Sequence, residues 1–360
     1  MNVFARLLNP QRAVFILLVV LLVLVAIFNP NFANPSQLIR FAQRVAPVAI
    51  AAIGQYFVIV SGEFDLSLGA LVTAQVIIAG NLIGQDEGMI LPVLGLMIVF
   101  ALLVGLANGL ITTRLKVPSF ITTLGMMLAL SGAIFYWTGG AATGNPVERF
   151  RAIGRSGIRD LPVIEILPWS VLLLTAVLAA AVWFSRRPFG RVIMAVGDNV
   201  TAARYAGVKV WWVKTATFLI ASLCATLTGI ILVGYAGVHP SVGSGYEFLS
   251  ITAVVLGGTV LGGGRGWVVA AAAGAFTLEA LFTLLTIAGV PSTYRSAIQG
   301  FIIILAVAYS ATTFQARTRQ RAVESSPDQG KEPAGDDRSA ETERVSVSGG
   351  TVDDNEEEPR

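Results

Sequence analysis

Long apolar runs with almost no charge recur ten times along this chain, at 13–28, 45–61, 66–84, 89–111, 119–138, 168–185, 215–236, 248–263, 267–288 and 296–314. A helix needs ~20 mostly apolar residues to cross a bilayer. Ten runs of about that length predict about ten transmembrane helices. The runs are continuously apolar rather than alternating, which sets aside the strands of an outer-membrane barrel. Composition agrees. The chain is 54% hydrophobic and only 13% charged, where a soluble domain carries roughly 25% charged residues. The fold class read from these runs is all-α, a polytopic membrane protein.

The two ends differ in kind. Residues 323–360 hold twelve acidic and four basic side chains, few large apolar ones, and many Ser, Gly, Asp and Glu. Such a segment cannot bury enough surface to offset its ordering entropy. It is expected to be a disordered acidic tail beyond a transmembrane domain at 1–322. At the other end, Arg6 and Arg12 precede the run 13–28, as in a secretion signal. The run leads into Asn29-Pro30-Asn31 instead of a small-residue cleavage site, so it is read as a first span.

Basic residues orient the spans. With the N-terminus in the cytoplasm, the inner side holds Arg6, Arg12, Arg114, Lys116, Arg186, Arg187, Arg191, Arg204, Lys209, Lys214, Arg265, Arg317, Arg319 and Arg321. The outer side holds half as many: Arg40, Arg44, Arg149, Arg151, Arg155, Arg159 and Arg295. Positive charge collects inside, so both termini are expected in the cytoplasm. The connections 139–167 (outer) and 186–214 (inner) are long, and long connections in a compact protein tend to be functional. Four runs in 45–138 and four in 215–314 enter the membrane in opposite senses. That parity suggests two inverted four-helix repeats.

Four motifs interrupt the apolar pattern. In Ser61-Gly62-Glu63-Phe64-Asp65-Leu66-Ser67-Leu68-Gly69, Gly62 permits a sharp turn and Asp65 or Ser67 can cap the next helix. The acids are read first as turn and cap groups, and second as gate or pathway residues, since carboxylates at membrane depth are expensive. Around Asn108-Gly109, Arg114, Lys116 and Val117-Pro118-Ser119-Phe120-Ile121-Thr122-Thr123-Leu124-Gly125, Pro118 suits a helix start. Asn108 and the Thr pair suit bonds between helices. The inner connection carries Gly190-Arg191, Gly197-Asp198-Asn199, Ala202-Ala203-Arg204 and Gly207-Val208. Asp198 or Asn199 is a good N-cap and Gly207 a good C-terminal stop. A short capped helix there suits the docking of a soluble partner, or serves as an interfacial strut. The fourth motif runs from Gly243-Ser244-Gly245-Tyr246-Glu247 through Leu256-Gly257-Gly258-Thr259 to Gly262-Gly263-Gly264-Arg265-Gly266. Glycine at this density implies close packing or a broken helix.

Several functions are set aside by what is missing from the sequence. It has one histidine, His239, and one cysteine, Cys224, so neither a multi-histidine metal site nor an internal disulfide can form. The Gly-rich stretch lacks the Gly-Lys-Ser/Thr ending of a phosphate loop, and no cofactor is expected on this chain. Glu279 is the one charge inside the run 267–288. It is read as a proton or ion relay or, equally, as a group that snorkels, pairs with a basic residue or lines a watery cavity.

Taken in order, the four motifs resemble the permeases of the ribose, xylose and galactose class of bacterial ABC importers. The likeness covers roughly residues 10–315. Gly62-Glu63-Phe64-Asp65-Leu66-Ser67-Leu68-Gly69 is similar to that family's Gly-x-x-Asp-Leu-Ser-x-Gly signature, and the other three blocks follow at matching spacing. Asp198, ahead of Asn199, departs from the pattern, as does the acidic tail. The resemblance implies a permease homodimer in the inner membrane. A separate ABC ATPase that consumes ATP-Mg and a soluble sugar-binding protein are implied with it, and no nucleic acid. The candidates for a pathway or gate are Glu63, Asp65, Ser67, Asn108, Glu247 and Glu279. Gly190, Arg191, Gly197, Asp198, Asn199, Ala202, Ala203 and Gly207 would form the loop that receives motion from the ATPase. Two alternatives stand beside it. One is an ABC permease for branched-chain amino acids or nucleosides. The other is an ion-coupled secondary transporter working through Glu63, Asp65 or Glu279.

Overall fold

The computed structural model describes residues 10–159, 165–291 and 293–305. The expected boundary at 322–323, the acidic tail and the end of the run 296–314 lie outside them. The described chain is almost wholly helical. In order, the main helices are α1 (Pro10–Phe28), α2 (Pro35–Val60), α3 (Leu68–Ile83), α4 (Ile90–Thr113) and α5 (Ser119–Thr138). They continue with α6 (Glu148–Arg155), α7 (Trp169–Arg186), α8 (Pro188–Asp198), α9 (Val200–Tyr205) and α10 (Val210–Tyr235). The last are α11 (Tyr246–Leu256), α12 (Val268–Ile287) and α13 (Tyr294–Leu305).

Among the described residues, six helical stretches are long and apolar enough to cross a bilayer: α2, α4 with the short turn before it, α5, α7, α10 and α12. α2 is the axis, with every residue from Val45 to Val60 buried. It packs along α10, α12, α11 and α7. α4, α5 and α7 instead present apolar side chains outward, among them Leu91, Leu103, Leu128 and Trp183. An outer surface of this kind suits lipid and not water.

Two helices are shorter than their apolar runs. α3 has 16 residues and α11 has 11, about 24 and 16 Å of helix against a hydrocarbon core of ~30 Å. The run 248–263, expected as a span, is helical only to Leu256. Past it, Gly257, Gly258 and Gly262–Gly264 end the helix, with positive φ at Gly258, Gly263 and Gly264 that side-chain-bearing residues rarely adopt.

One departure from an all-α reading lies in the connection 139–167. It contains α6, whose Gly154 packs backbone to backbone against Gly234 of α10. It also contains a small antiparallel pair, β1 (Gly157–Arg159) with β2 (Ile166–Pro168), in the register Ile158 opposite Leu167.

Candidate functional site

The chain leaves α2 at Val60, turns at Ser61-Gly62, and doubles back before α3 begins. Asp65 returns to the level of Gln55, whose amide, turned to suit its neighbours, accepts from Asp65 N at 3.2 Å and donates to Asp65 O at 3.3 Å. Gln55 precedes the end of α2 by about 7 Å of helix, so α3 starts inside the bundle. Non-helical backbone at that depth needs a protein partner for every polar group. Each N–H of 62–67 has one. Gly62 N donates to Ile59 O and Glu63 N to Val58 O. Phe64 N donates to Ser119 Oγ and Leu66 N to Thr123 Oγ1, both at 3.1 Å. Asp65 N uses Gln55, and Ser67 N uses Asp65 Oδ1 at 2.9 Å.

This accounting joins the first two motifs. Ser119 and Thr123 stand one turn apart on α5, and their hydroxyls substitute for the helix bonds that the turn-back lacks. From α4, Asn108 Nδ2 donates to Ser67 Oγ at 2.8 Å, while Ser67 Oγ donates to Asp65 Oδ1 at 2.6 Å. Asn108 thus bonds to the start of another helix as expected, Thr123 bonds the turn-back and not a helix, and Thr122 Oγ1 is buried without a partner. The capping reading of the acid turn needs correction. Asp65 bonds Ser67 and does not reach into α3, and Ser67 makes no side-chain cap. Asn108 Oδ1 is buried and unbonded, leaving a vacant acceptor beside the Asp65–Ser67 pair.

α11 begins in a similar way. The segment 237–245 leaves the end of α10 and runs back along α3, where Gly80 lies against Val238 and Gly69 against Gly243. Gly243 N donates to Thr73 Oγ1 at 3.0 Å, and Gly245 N donates to Glu247 Oε1 at 3.1 Å. Glu247 is buried in the first turn of α11. Its other carboxylate oxygen occupies the space that a Cβ on Gly69 would take. The N-terminal turns of α3 and α11 therefore meet with a carboxylate between them. Helix N-termini favour negative charge. Asp65, Ser67 and Asn108 are bonded to one another, and Glu247 lies against Gly69 at the same start of α3.

Glu63 lies nearer the end of the bundle, where Lys214 Nζ donates to it. Glu279 belongs to neither group. It lies on α12 within electrostatic reach of Arg44, Arg295, Tyr246 and Tyr235.

The third and fourth motifs close the same end as Glu63. Gly264 N donates to Val60 O at 2.8 Å. A Cβ on Gly197 would overlap both Val60 O and Gly264 N, and one on Gly264 would overlap the Asp198 backbone. Three chain segments therefore touch through backbone alone. From there α8 and α9 run across the end of the bundle. Asn199 is the N-cap of α9, its Oδ1 accepting from Ala202 N at 2.9 Å, while Asp198 is the last residue of α8. Gly207 ends the segment with φ +80. Gly190 is buried against the Phe184–Ser185 backbone. Arg191, Asp198, Asn199, Ala202, Arg204 and Tyr205 are exposed, but Ala203 is buried. Ala203 packs into the protein's own core and so is not part of an outward contact face.

Sequence reasoning did not single out Gln55, Thr73, Ser119 or Lys214. Gln55 stood out only as the one amide in the run 45–61, and nothing in the sequence pairs Lys214 with Glu63 across 151 positions. Among the described residues, no three His, Cys, Asp or Glu side chains form a metal-sized cluster.

The sequence profile of the family described as "Branched-chain amino acid transport system / permease component" matches residues 37–307. The chain is 33% identical over 301 residues to the ribose import permease protein of Bacillus subtilis (strain 168), covering 81% of this chain and 90% of that one. It is 34% identical over 302 residues to the ribose import permease protein of Escherichia coli (strain K12), covering 82% and 92%. It is 30% identical over 322 residues to the autoinducer 2 import system permease protein of Enterobacter sp. (strain 638), covering 88% and 91%. No solved structure matches the chain.

Proposed function

The chain belongs to the family of ABC importer permease components whose profile spans residues 37–307, and on that premise we propose how it carries out transport. It is a transport subunit, and its relatives include ribose import permeases. The substrate proposed is a monosaccharide delivered by a soluble binding protein. A separate ATPase chain uses ATP-Mg, and two copies of the permease form the pathway in the bacterial inner membrane. The branched-chain amino acid reading is less favoured, because relatives covering nine-tenths of their own length are named for ribose.

The observation that carries the mechanism is that every N–H of 62–67 is paired, those of Phe64, Asp65 and Leu66 by side chains of α2 and α5. A turn held by hydroxyls and an amide exchanges partners at small cost, because each bond can pass to water or to a sugar hydroxyl. The Asp65, Ser67, Asn108 and Glu247 cluster is the proposed waypoint, with two helix N-termini supplying fixed dipoles. Glu63 with Lys214 links that waypoint to the α8–α9 segment, the proposed ATPase contact. Glu279, beside Arg44 and Arg295, is assigned to the opposite mouth.

The proposed architecture is ten spans in two inverted repeats. Each repeat holds a 26-residue helix (α2 or α10), a turn-back, a short helix (α3 or α11) and two more. Both termini are placed in the cytoplasm, with 323–360 as an acidic tail there. Orientation is checked by labelling cysteines at Ser156, His239 and Tyr205 with a membrane-impermeant reagent. The first two should label from outside and Tyr205→Cys should not; one-sided labelling of all three would sink the topology. The energy source is checked in vesicles holding the permease, its ATPase and its binding protein. Sugar uptake should survive an uncoupler at constant ATP. Loss of uptake would return the secondary-transporter reading.

A further inference from the structure

α7 carries an outward stripe at helical spacing. Thr175, Leu178, Ala179 and Val182, with Val269 of α12, wall a shallow groove on the membrane-facing surface. Trp183, Arg186 and Arg187 close one end of it. From Thr175 to Arg186 the helix rises about 16 Å, close to half of the ~30 Å hydrocarbon core. The groove is thus one leaflet long, apolar along its length and doubly positive at its rim.

The rim has the chemistry of a headgroup site. The Arg187 guanidinium stacks over the Trp183 ring at 4.3 Å. Tryptophan beside arginine marks the level of the membrane interface. The same pairing recurs at this end, with Arg114 over Trp211 at 3.9 Å. Neither Arg186 nor Arg187 has a carboxylate partner among the described residues. Guanidinium presents a planar fork of donors that matches phosphate oxygens. Two exposed, unpaired forks at the head of a leaflet-long apolar groove are complementary to one kind of molecule.

We propose that this groove binds an anionic glycerophospholipid, its phosphate held by Arg186 and Arg187 and one acyl chain laid along α7 toward Thr175. Arg187 is also the residue at which α7 ends and α8 begins. The bound headgroup therefore fixes the joint between the membrane helix and the segment assigned above to ATPase contact. That consequence rests on the proposed coupling role, but the binding itself does not.

Binding is tested on the full-length permease alone, without ATPase or sugar. Detergent-solubilised protein is titrated with phosphatidylglycerol or phosphatidylcholine, and retained lipid is counted by native mass spectrometry. Wild type should prefer phosphatidylglycerol. Arg186→Gln with Arg187→Gln should weaken that preference by roughly thirtyfold, the product of two surface-charge contributions, and Lys at both positions, which keeps the charge but not the planar fork, should fall between the two. Ala179→Trp, which fills the groove and leaves both arginines in place, should also lose the lipid. It carries the same test if the glutamine pair does not fold. Equal retention by wild type, the glutamine pair and Ala179→Trp overturns the proposal. So does efficient disulfide formation between copies through Ala179→Cys, which would show a second permease on this face.

Discussion

Lys214 Nζ donates to Glu63 Oε1 over 2.5 Å, tying the turn after α2 to the first turns of α10. Both side chains are mostly enclosed, 13% and 14% exposed. Beside them Ser61 Oγ meets Thr217 Oγ1 at 3.3 Å. Removing one partner of an enclosed pair leaves an uncompensated charge and costs about 3 kcal/mol. Glu63→Gln should therefore lower the thermal midpoint of the purified protein and abolish uptake. The exchange Glu63→Lys with Lys214→Glu should recover part of both. A single variant as stable as wild type would show that the pair bears no load.

Gly197 and Gly207 make opposite predictions although both are glycines of the inner segment. A Cβ at Gly197 has no room, because Val60 O and Gly264 N already occupy it. Gly197→Ala should push the three segments apart and abolish both folded yield and uptake. At Gly207 the space is open and only the left-handed backbone resists. Gly207→Ala should cost about 1 kcal/mol, reach the membrane at normal level, and lose ATPase association in part. Folded yield in membranes and ATPase pull-down separate the two.

Ala203 and Tyr205, two residues apart on α9, separate folding from docking. Ala203 is buried and Tyr205 is 89% exposed. Ala203→Glu should bury a charge and reduce folded protein. Tyr205→Ala should leave the thermal midpoint unchanged and weaken ATPase binding, measured by titrating the detached ATPase onto reconstituted permease. Unchanged binding by Tyr205→Ala would move the docking face to the turn at Arg114–Lys116.

Asn108 gives the turn-back one of its side-chain donors, to Ser67 Oγ. Asn108→Asp keeps the shape but turns donor into acceptor, beside a hydroxyl already committed to Asp65. A carboxylate there repels the Ser67 oxygen, whereas a protonated carboxyl restores the bond. Uptake by Asn108→Asp should be low at neutral pH and rise as pH falls, while wild type shows no matching rise. Asn108→Leu should be low at every pH.

How much of this was legible depended on whether a residue acts along the chain or across it. Apolar runs report burial in lipid directly, so the long helices α2, α4, α5, α7, α10 and α12 follow from them. The run 248–263 misled because its glycines count as apolar while ending a helix at Leu256. α6 and the β1–β2 pair have no apolar run to announce them; α6 is seated by Gly154 against Gly234, and the strands by their own pairing. Asp65, Ser67, Asn108 and Glu247 were visible as polar groups at membrane depth. Their meeting was not, because it depends on two turn-backs whose depth only the fold sets. The same holds for Thr123, which reads as helix glue and in fact, with Ser119, completes the backbone pairing of another segment.

The contact of Val60, Gly197 and Gly264 has a mechanical consequence. Side chains between moving parts act as cushions, since rotamers shift and absorb a displacement before it travels. Here main chain rests on main chain, with a 2.8 Å hydrogen bond from Gly264 N to Val60 O and no side chain to yield. A push on α8 reaches the foot of α2 and the loop before α12 with little slack, like a pin through three leaves of a hinge. Such a joint has little tolerance for substitution, and what it loses in mutational freedom it returns as stiffness.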